Sequence, residues 1–212
     1  MSPFREALAR FGAGLVTAEQ AAMLERHYDL LIRWNRRLNL TSVTGVEDLV
    51  KFHYCESLAL AEELPRGALR IVDVGSGAGF PGFPVAVSRP ECEVTLVESR
   101  VRRAVFLREV SRDLANVRVL ACRAESLNDR FDWLVARAVS SREILSIAGA
   151  LADQVAILST VDSPLRGSKK AIKLPWGRSR AIVFPLVPRD AHFIRRRAPN
   201  ALQGDRFPSR ST

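Results

Sequence analysis

The sequence predicts an α/β protein: a doubly wound, mainly parallel sheet preceded by an N-terminal helical element. Three observations carry this. Short apolar runs alternate with amphipathic helical stretches along the middle of the chain. One run, Ile71-Val72-Asp73-Val74, breaks into the alternating glycines Gly75, Gly77 and Gly79. A second run, Val94–Val97, ends in an acid, Glu98, which lies 23 residues after Gly75 and so suits one strand–helix–strand unit.

The elements follow in order. Thr17 and Gln20 form a capping-box pattern, and Ala21, Leu24, Tyr28, Leu31 and Leu38 recur at helical spacing. A second amphipathic helix is expected from about Glu47 to Leu64, ending before Pro65-Arg66-Gly67. Next come strand Leu69–Val74, a short helix after Gly82, strand Glu93–Glu98, a helix near Arg100–Leu114 and strand Val117–Leu120. Strand Trp133–Ala136, a helix near Ser141–Leu151 and strand Val155–Ser159 complete the alternation. Ala171–Leu174 and Ala181–Leu186, joined at Pro175-Trp176-Gly177, are expected to form a hairpin at one sheet edge. With no repeat or low-complexity linker, the 212 residues read as one domain: a helical cap over 1–66, a core over 67–187 and a basic tail over 188–212.

Composition narrows the function. A hydrophobic content of 47% supports a folded core, and no apolar run nears the ~20 residues of a membrane span. The N-terminus lacks the basic-then-apolar plan of a secretory signal. Three widely spaced cysteines and three scattered histidines suggest neither a disulfide framework nor a metal site, so a reduced cytoplasmic protein is expected. The net charge of +9 is uneven: residues 178–212 carry +6, densest at Arg195, Arg196 and Arg197, and Arg33, Arg36 and Arg37 form a second cluster. RNA is the natural polyanion for such a chain, the alternative being a solvated tail with no partner.

The glycines indicate a backbone that approaches a ligand closely. The dinucleotide fingerprint fails, because the third residue after Gly77 is Phe80 rather than glycine. Gly-x-Gly-x-Gly after an acid-bearing strand instead resembles the loop of class I S-adenosylmethionine (SAM) methyltransferases, whose ribose hydroxyls Glu98 would hold. Phe80 would either cover the adenosine or pack beneath the loop. Ala124 and Glu125, after the third strand, would meet the adenine, unless Glu125 is only a surface acid. Arg137, after the fourth, would engage the methionine carboxylate or a substrate phosphate, unless it serves a structural ion pair. His53, Glu56 and Ser57 fall on one helix face, either at the pocket lip or as a packing cluster. His53 and Arg137 are positioning candidates, and no residue is assigned as catalytic. Asn35 and Asn39 would brace the turn leaving the first helix, with Trp34 in the core, the alternative being a base-stacking platform.

The motifs then become specific. Trp34-Asn35-Arg36-Arg37-Leu38-Asn39-Leu40-Thr41 resembles the W-N-x-x-x-N-L-T signature of the small-subunit rRNA guanine-N7 methyltransferase family, called RsmG or glucose-inhibited division protein B. His53–Leu58 resembles its H-x-x-D-S-L segment, with Glu56 where aspartate is usual. Asp73–Pro84 agrees with its D-V-G-[ST]-G-x-G-x-P-G-x-P loop at every defined position. Val97-Glu98-Ser99, Arg102-Arg103, Phe106-Leu107, Arg123-Ala124-Glu125 and Arg137-Ala138-Val139 follow in order. The resemblance covers about residues 15–150, and weakens where Ser159-Thr160-Val161-Asp162 replaces a glycine- and lysine-containing turn. It implies SAM as cofactor, N7 of a guanine in 16S rRNA as acceptor, and the rRNA or small subunit as partner; a monomer without metal or membrane is expected. Another class I substrate, or an inactive RNA-binding protein on the same fold, are the alternatives.

Overall fold

A computed structural model describes residues 1–137, 140–160, 168–177 and 179–187. Its elements run α1 (Pro3–Phe11), α2 (Ala18–Leu38), α3 (Val46–Leu49), a π-helical segment (Val50–Cys55), α4 (Glu56–Glu63), β1 (Arg70–Val74), α5 (Gly82–Ser88), β2 (Glu93–Val97), α6 (Val101–Val110), β3 (Val117–Leu120), a 3₁₀ turn (Ala124–Ser126), β4 (Phe131–Arg137), α7 (Ser141–Leu151), β5 (Ala152–Thr160), β6 (Ser168–Lys173) and β7 (Arg180–Pro185).

The strands form one sheet in the order β3-β2-β1-β4-β5-β7-β6. Pairing is parallel from β3 to β5, whereas β7 runs antiparallel to both β5 and β6. β1 and β2 are buried at four of five positions, as a parallel sheet covered on both faces requires. The expected hairpin forms, but its second strand slots beside β5 and leaves β6 outermost. That edge exposes Lys169, Lys170 and Lys173, a charge pattern that discourages pairing with another chain.

Strand order reverses between β1 and β4. The crossovers α5 and α6 bury Phe83, Val85, Phe106 and Leu107 in a core shared with α1, α2 and α4. By contrast, α7 buries Ile144, Ala148 and Leu151 in a separate core with Val72, Leu134 and Val155. The helices therefore lie on opposite faces, and the C-terminal ends of β1 and β4 frame the crevice of an open α/β sheet.

The N-terminal element differs from expectation in two ways. It gains α1, which Ser2 caps by accepting from the Arg5 amide, with Pro3 in the first helical turn. α1 buries Phe4, Ala7 and Leu8, and Phe4 stacks on Tyr28 at 4.9 Å. The single helix expected over Glu47–Leu64 is instead α3 and α4 joined by the π segment, whose extra residue per turn rotates the side chains that follow. The Thr17–Gln20 capping box is present, and Asn39 ends α2 in the left-handed conformation at φ 46°. Asn35 braces the exit by bonding both the amide and the carbonyl of Thr41.

Candidate functional site

The site begins where β1 ends. The amides of Gly75 and Ser76 both donate to the Val97 carbonyl, at 2.9 and 3.1 Å, which ties the start of the glycine loop to the end of β2. Gly75, Gly77 and Gly79 have φ of 71°, 55° and 92°, a region that side chains rarely tolerate. Beneath the loop, Asp73 is fully buried and its Oδ2 accepts from the Gly82 amide at 2.9 Å. A Cβ on Gly82 would lie 2.6 Å from that oxygen, so glycine is needed there for close approach. The other oxygen, Oδ1, has no hydrogen-bond partner among the described residues. Burial, eased by the Gly82 and Ser76 bonds, raises the Asp73 carboxyl to about 7.

Glu98 stands at the loop mouth. Its carboxylate is 5% exposed, accepting from the Gly77 amide at 3.1 Å and the Arg100 amide at 2.7 Å. The acid is thus oriented before any ligand arrives. Beside it, the Glu98 amide donates to Leu120 at the end of β3, which brings the Ala124–Ser126 turn alongside. Ala124 is buried there and Glu125 exposed. A glycine backbone and an oriented carboxylate fit a nucleoside cofactor, the carboxylate offering acceptors for ribose hydroxyls.

Five expected site residues, Phe80, Arg137, His53, Glu56 and Ser57, are engaged by the protein itself. Phe80 is 6% exposed, its ring packed against His27, His53 and Tyr54 at 4.7–5.3 Å, so it lies under the loop and offers backbone rather than a covering ring. Arg137 lies one residue past the Val74–Ala136 pair, at the crevice, but is committed. It donates to the Phe52 carbonyl and approaches Glu56 Oε2 at 3.5 Å. Burial lowers it to about 10, which leaves it a cation at neutral pH. Glu56 is itself 1% exposed and takes both Nε and Nη2 of Arg180 at 2.6 Å. Ser57 is buried and donates to the His53 carbonyl. His53, Glu56 and Ser57 therefore form a packing cluster, in which two guanidinium groups share one carboxylate and leave an excess positive charge.

His53 is 7% exposed, with Nε2 2.7 Å from the Thr41 hydroxyl and Nδ1 unpartnered among the described residues. Burial first, and the Arg137 charge second, lower it to about 3. His27 went unmarked in the sequence, yet it fastens the loop to α2. Its Nε2 lies 3.0 Å from the Ala78 carbonyl, which can only accept, so Nε2 carries the proton and Nδ1 accepts from the Tyr54 hydroxyl at 2.7 Å. Burial lowers it to about 3. The one available signal was its register: three residues after Leu24 and four before Leu31, inside the apolar stripe. Arg180 carried no such signal, being 124 residues from Glu56.

The basic cluster Arg33, Arg36 and Arg37 lies exposed on the last turns of α2. Arg195, Arg196 and Arg197 lie outside the described residues, as does Ala138.

The GidB family, described as rRNA small subunit methyltransferase G, matches residues 20–156. A protein of Xanthomonas campestris pv. campestris (strain B100), named ribosomal RNA small subunit methyltransferase G, is 42% identical over 139 residues, covering 63% of this chain and 65% of that protein. The chain thus spans a little under two thirds of that relative's length. A protein of the same name from Xylella fastidiosa (strain M23) is 39% identical over 158 residues, covering 71% and 74%. The crystal structure of a SAM dependent methyltransferase from Aquifex aeolicus superposes with a TM-score of 0.53 over 66% of this chain and 93% of its own, at 14% identity, and so shares the fold. With the open sheet, the glycine loop and these matches together, the chain belongs to the GidB family of rRNA small subunit methyltransferase G proteins.

Proposed function

We propose that this chain is a SAM-dependent methyltransferase that adds a methyl group to N7 of a guanine in 16S rRNA, as free rRNA or within the small ribosomal subunit. The observation that carries this is the buried Glu98 carboxylate, held by the Gly77 and Arg100 amides at the mouth of the glycine loop. SAM supplies an electrophilic methyl on a sulfonium. Glu98 receives the ribose hydroxyls, the Gly75, Gly77, Gly79 and Phe80 backbone lies under the donor, and Ala124 and Glu125 meet the adenine. Arg137, fixed by Glu56 and Phe52, positions the acceptor at the end of β4.

Guanine N7 has an in-plane lone pair and no hydrogen, so the reaction needs no general base. The groups near the loop agree with that. His27 is neutral with both ring nitrogens taken, by Tyr54 and Ala78, and His53 is neutral, buried and bonded to Thr41. The chain's contribution is then orientation, which supplies up to ~7–11 kcal/mol of barrier lowering. Arg33, Arg36 and Arg37, with the tail arginines Arg195, Arg196 and Arg197, engage rRNA phosphates. None of the described helices is long and apolar enough to cross a membrane, and the described residues hold no metal-ligating cluster. A monomer acting in the cytoplasm accords with this role.

Incubation of unmethylated small ribosomal subunits with labelled SAM, followed by nucleoside analysis, tests the proposal. Label recovered as 7-methylguanosine from one 16S site is expected. SAM binding without transfer to 16S rRNA would overturn the substrate, and absence of SAM binding would overturn the cofactor.

A further inference from the structure

Four guanidinium groups and an indole surround one recess that two separate helices build. Arg33, Trp34, Arg36, Arg37 and Leu38 come from α2 and Arg102 from the first turn of α6, enclosing about 460 Å³. All four arginines are exposed, and none stands in an ion pair among the described residues. Four like charges around one hollow repel one another until an anion neutralises them. Trp34 is half-buried, resting on Phe106 at a ring separation of 5.9 Å, and with Leu38 it gives the hollow an apolar wall. An acidic peptide would satisfy the cations alone. A nucleotide satisfies both, with phosphate on guanidinium and base on the indole.

The recess adjoins the cofactor site. α6 starts just past Glu98, and Arg103, next to Arg102, donates to the carbonyl of the α2 cap Asn39 at 3.2 Å. Its Nη1 lies 3.9 Å from where a Gly77 Cβ would stand. A strand seated in the recess therefore passes beside the loop mouth.

We propose that this recess is a subsite for one nucleotide of the rRNA strand flanking the target guanine, its phosphate held by Arg33, Arg36, Arg37 and Arg102 and its base against Trp34 and Leu38. The proposal rests on the rRNA reading above. Its test is filter binding of labelled, deproteinised 16S rRNA between 50 and 200 mM KCl, a range over which phosphate contacts change affinity steeply. The combined Arg36→Gln, Arg37→Gln and Arg102→Gln variant should lower the magnitude of the log–log salt slope by about 0.7, the value for one phosphate of a single strand. Arg10→Gln, Arg66→Gln and Arg130→Gln together remove the same charge outside the recess, and should leave the slope unchanged. Trp34→Leu should weaken binding about fivefold or more at constant salt slope. Unchanged slope in the recess variant, or an equal fall in the control, overturns the subsite while the rRNA reading stands. No salt-dependent affinity of the unsubstituted protein for either the deproteinised rRNA or small subunits overturns that reading and the subsite with it.

Discussion

The cofactor crevice and the basic recess are neighbours built on opposite principles. In the crevice, the polar groups are mostly buried and committed: Asp73 Oδ2 to Gly82, Glu98 to Gly77 and Arg100, Glu56 to Arg180, His27 to Ala78. In the recess, Arg33, Arg36, Arg37 and Arg102 stand exposed and without counter-ions among the described residues. A buried group that loses its partner keeps its desolvation cost, whereas an exposed arginine returns to water. Single substitutions in the crevice should therefore act on folding and cofactor together. Those in the recess should act on RNA alone, in small increments.

The largest effect is expected at Glu56. Glu56→Ala leaves the partly buried Arg137 and Arg180 without their carboxylate and should cost about 3 kcal/mol, read by urea denaturation. A loss below about 1 kcal/mol would mean that the cluster relaxes into solvent. Next is Gly82→Ala, whose Cβ would meet Leu96 at 2.4 Å and Asp73 at 2.6 Å. Overpacking of this kind costs about 1–3 kcal/mol, and the displaced loop should bind SAM poorly by calorimetry.

Asp73 sharpens the comparison through pH. Its folded value of about 7 lies above the ordinary 3.8, so the native state holds a proton that the unfolded chain has already released. This group's contribution to stability therefore falls as pH rises from about 4 to 7 and levels off above. Asp73→Asn should flatten that part of the unfolding free energy, and an unchanged pH profile would contradict the assignment. A smaller effect is expected from Thr17→Ala, which removes a capping-box acceptor and should cost about 1 kcal/mol. Smallest of all, Arg36→Gln with Arg37→Gln should change stability by no more than about 0.5 kcal/mol.

How legible these regions were in the sequence follows the same division. Gly75–Gly82, Glu98 and the alternating elements were readable because glycine spacing and apolar period are local signals. So, in principle, was α1, since Ser2-Pro3 with Phe4, Ala7 and Leu8 carries cap and stripe. The π segment Val50–Cys55 was not, because one added residue per turn barely changes the apolar pattern. Glu56 was matched to a motif without its partner, as no local pattern ties it to Arg180 across 124 residues. Arg102 was quoted in its motif, yet only the packing of α6 against α2 brings it to Arg33, Arg36 and Arg37.

The most direct test of this division is steady-state methyl transfer to small subunits, with the KM for SAM and for rRNA measured separately. Glu98→Ala should raise the KM for SAM at least tenfold and leave that for rRNA unchanged. The recess variant at Arg36, Arg37 and Arg102 should do the reverse. Both constants moving together in either variant would contradict two independent sites.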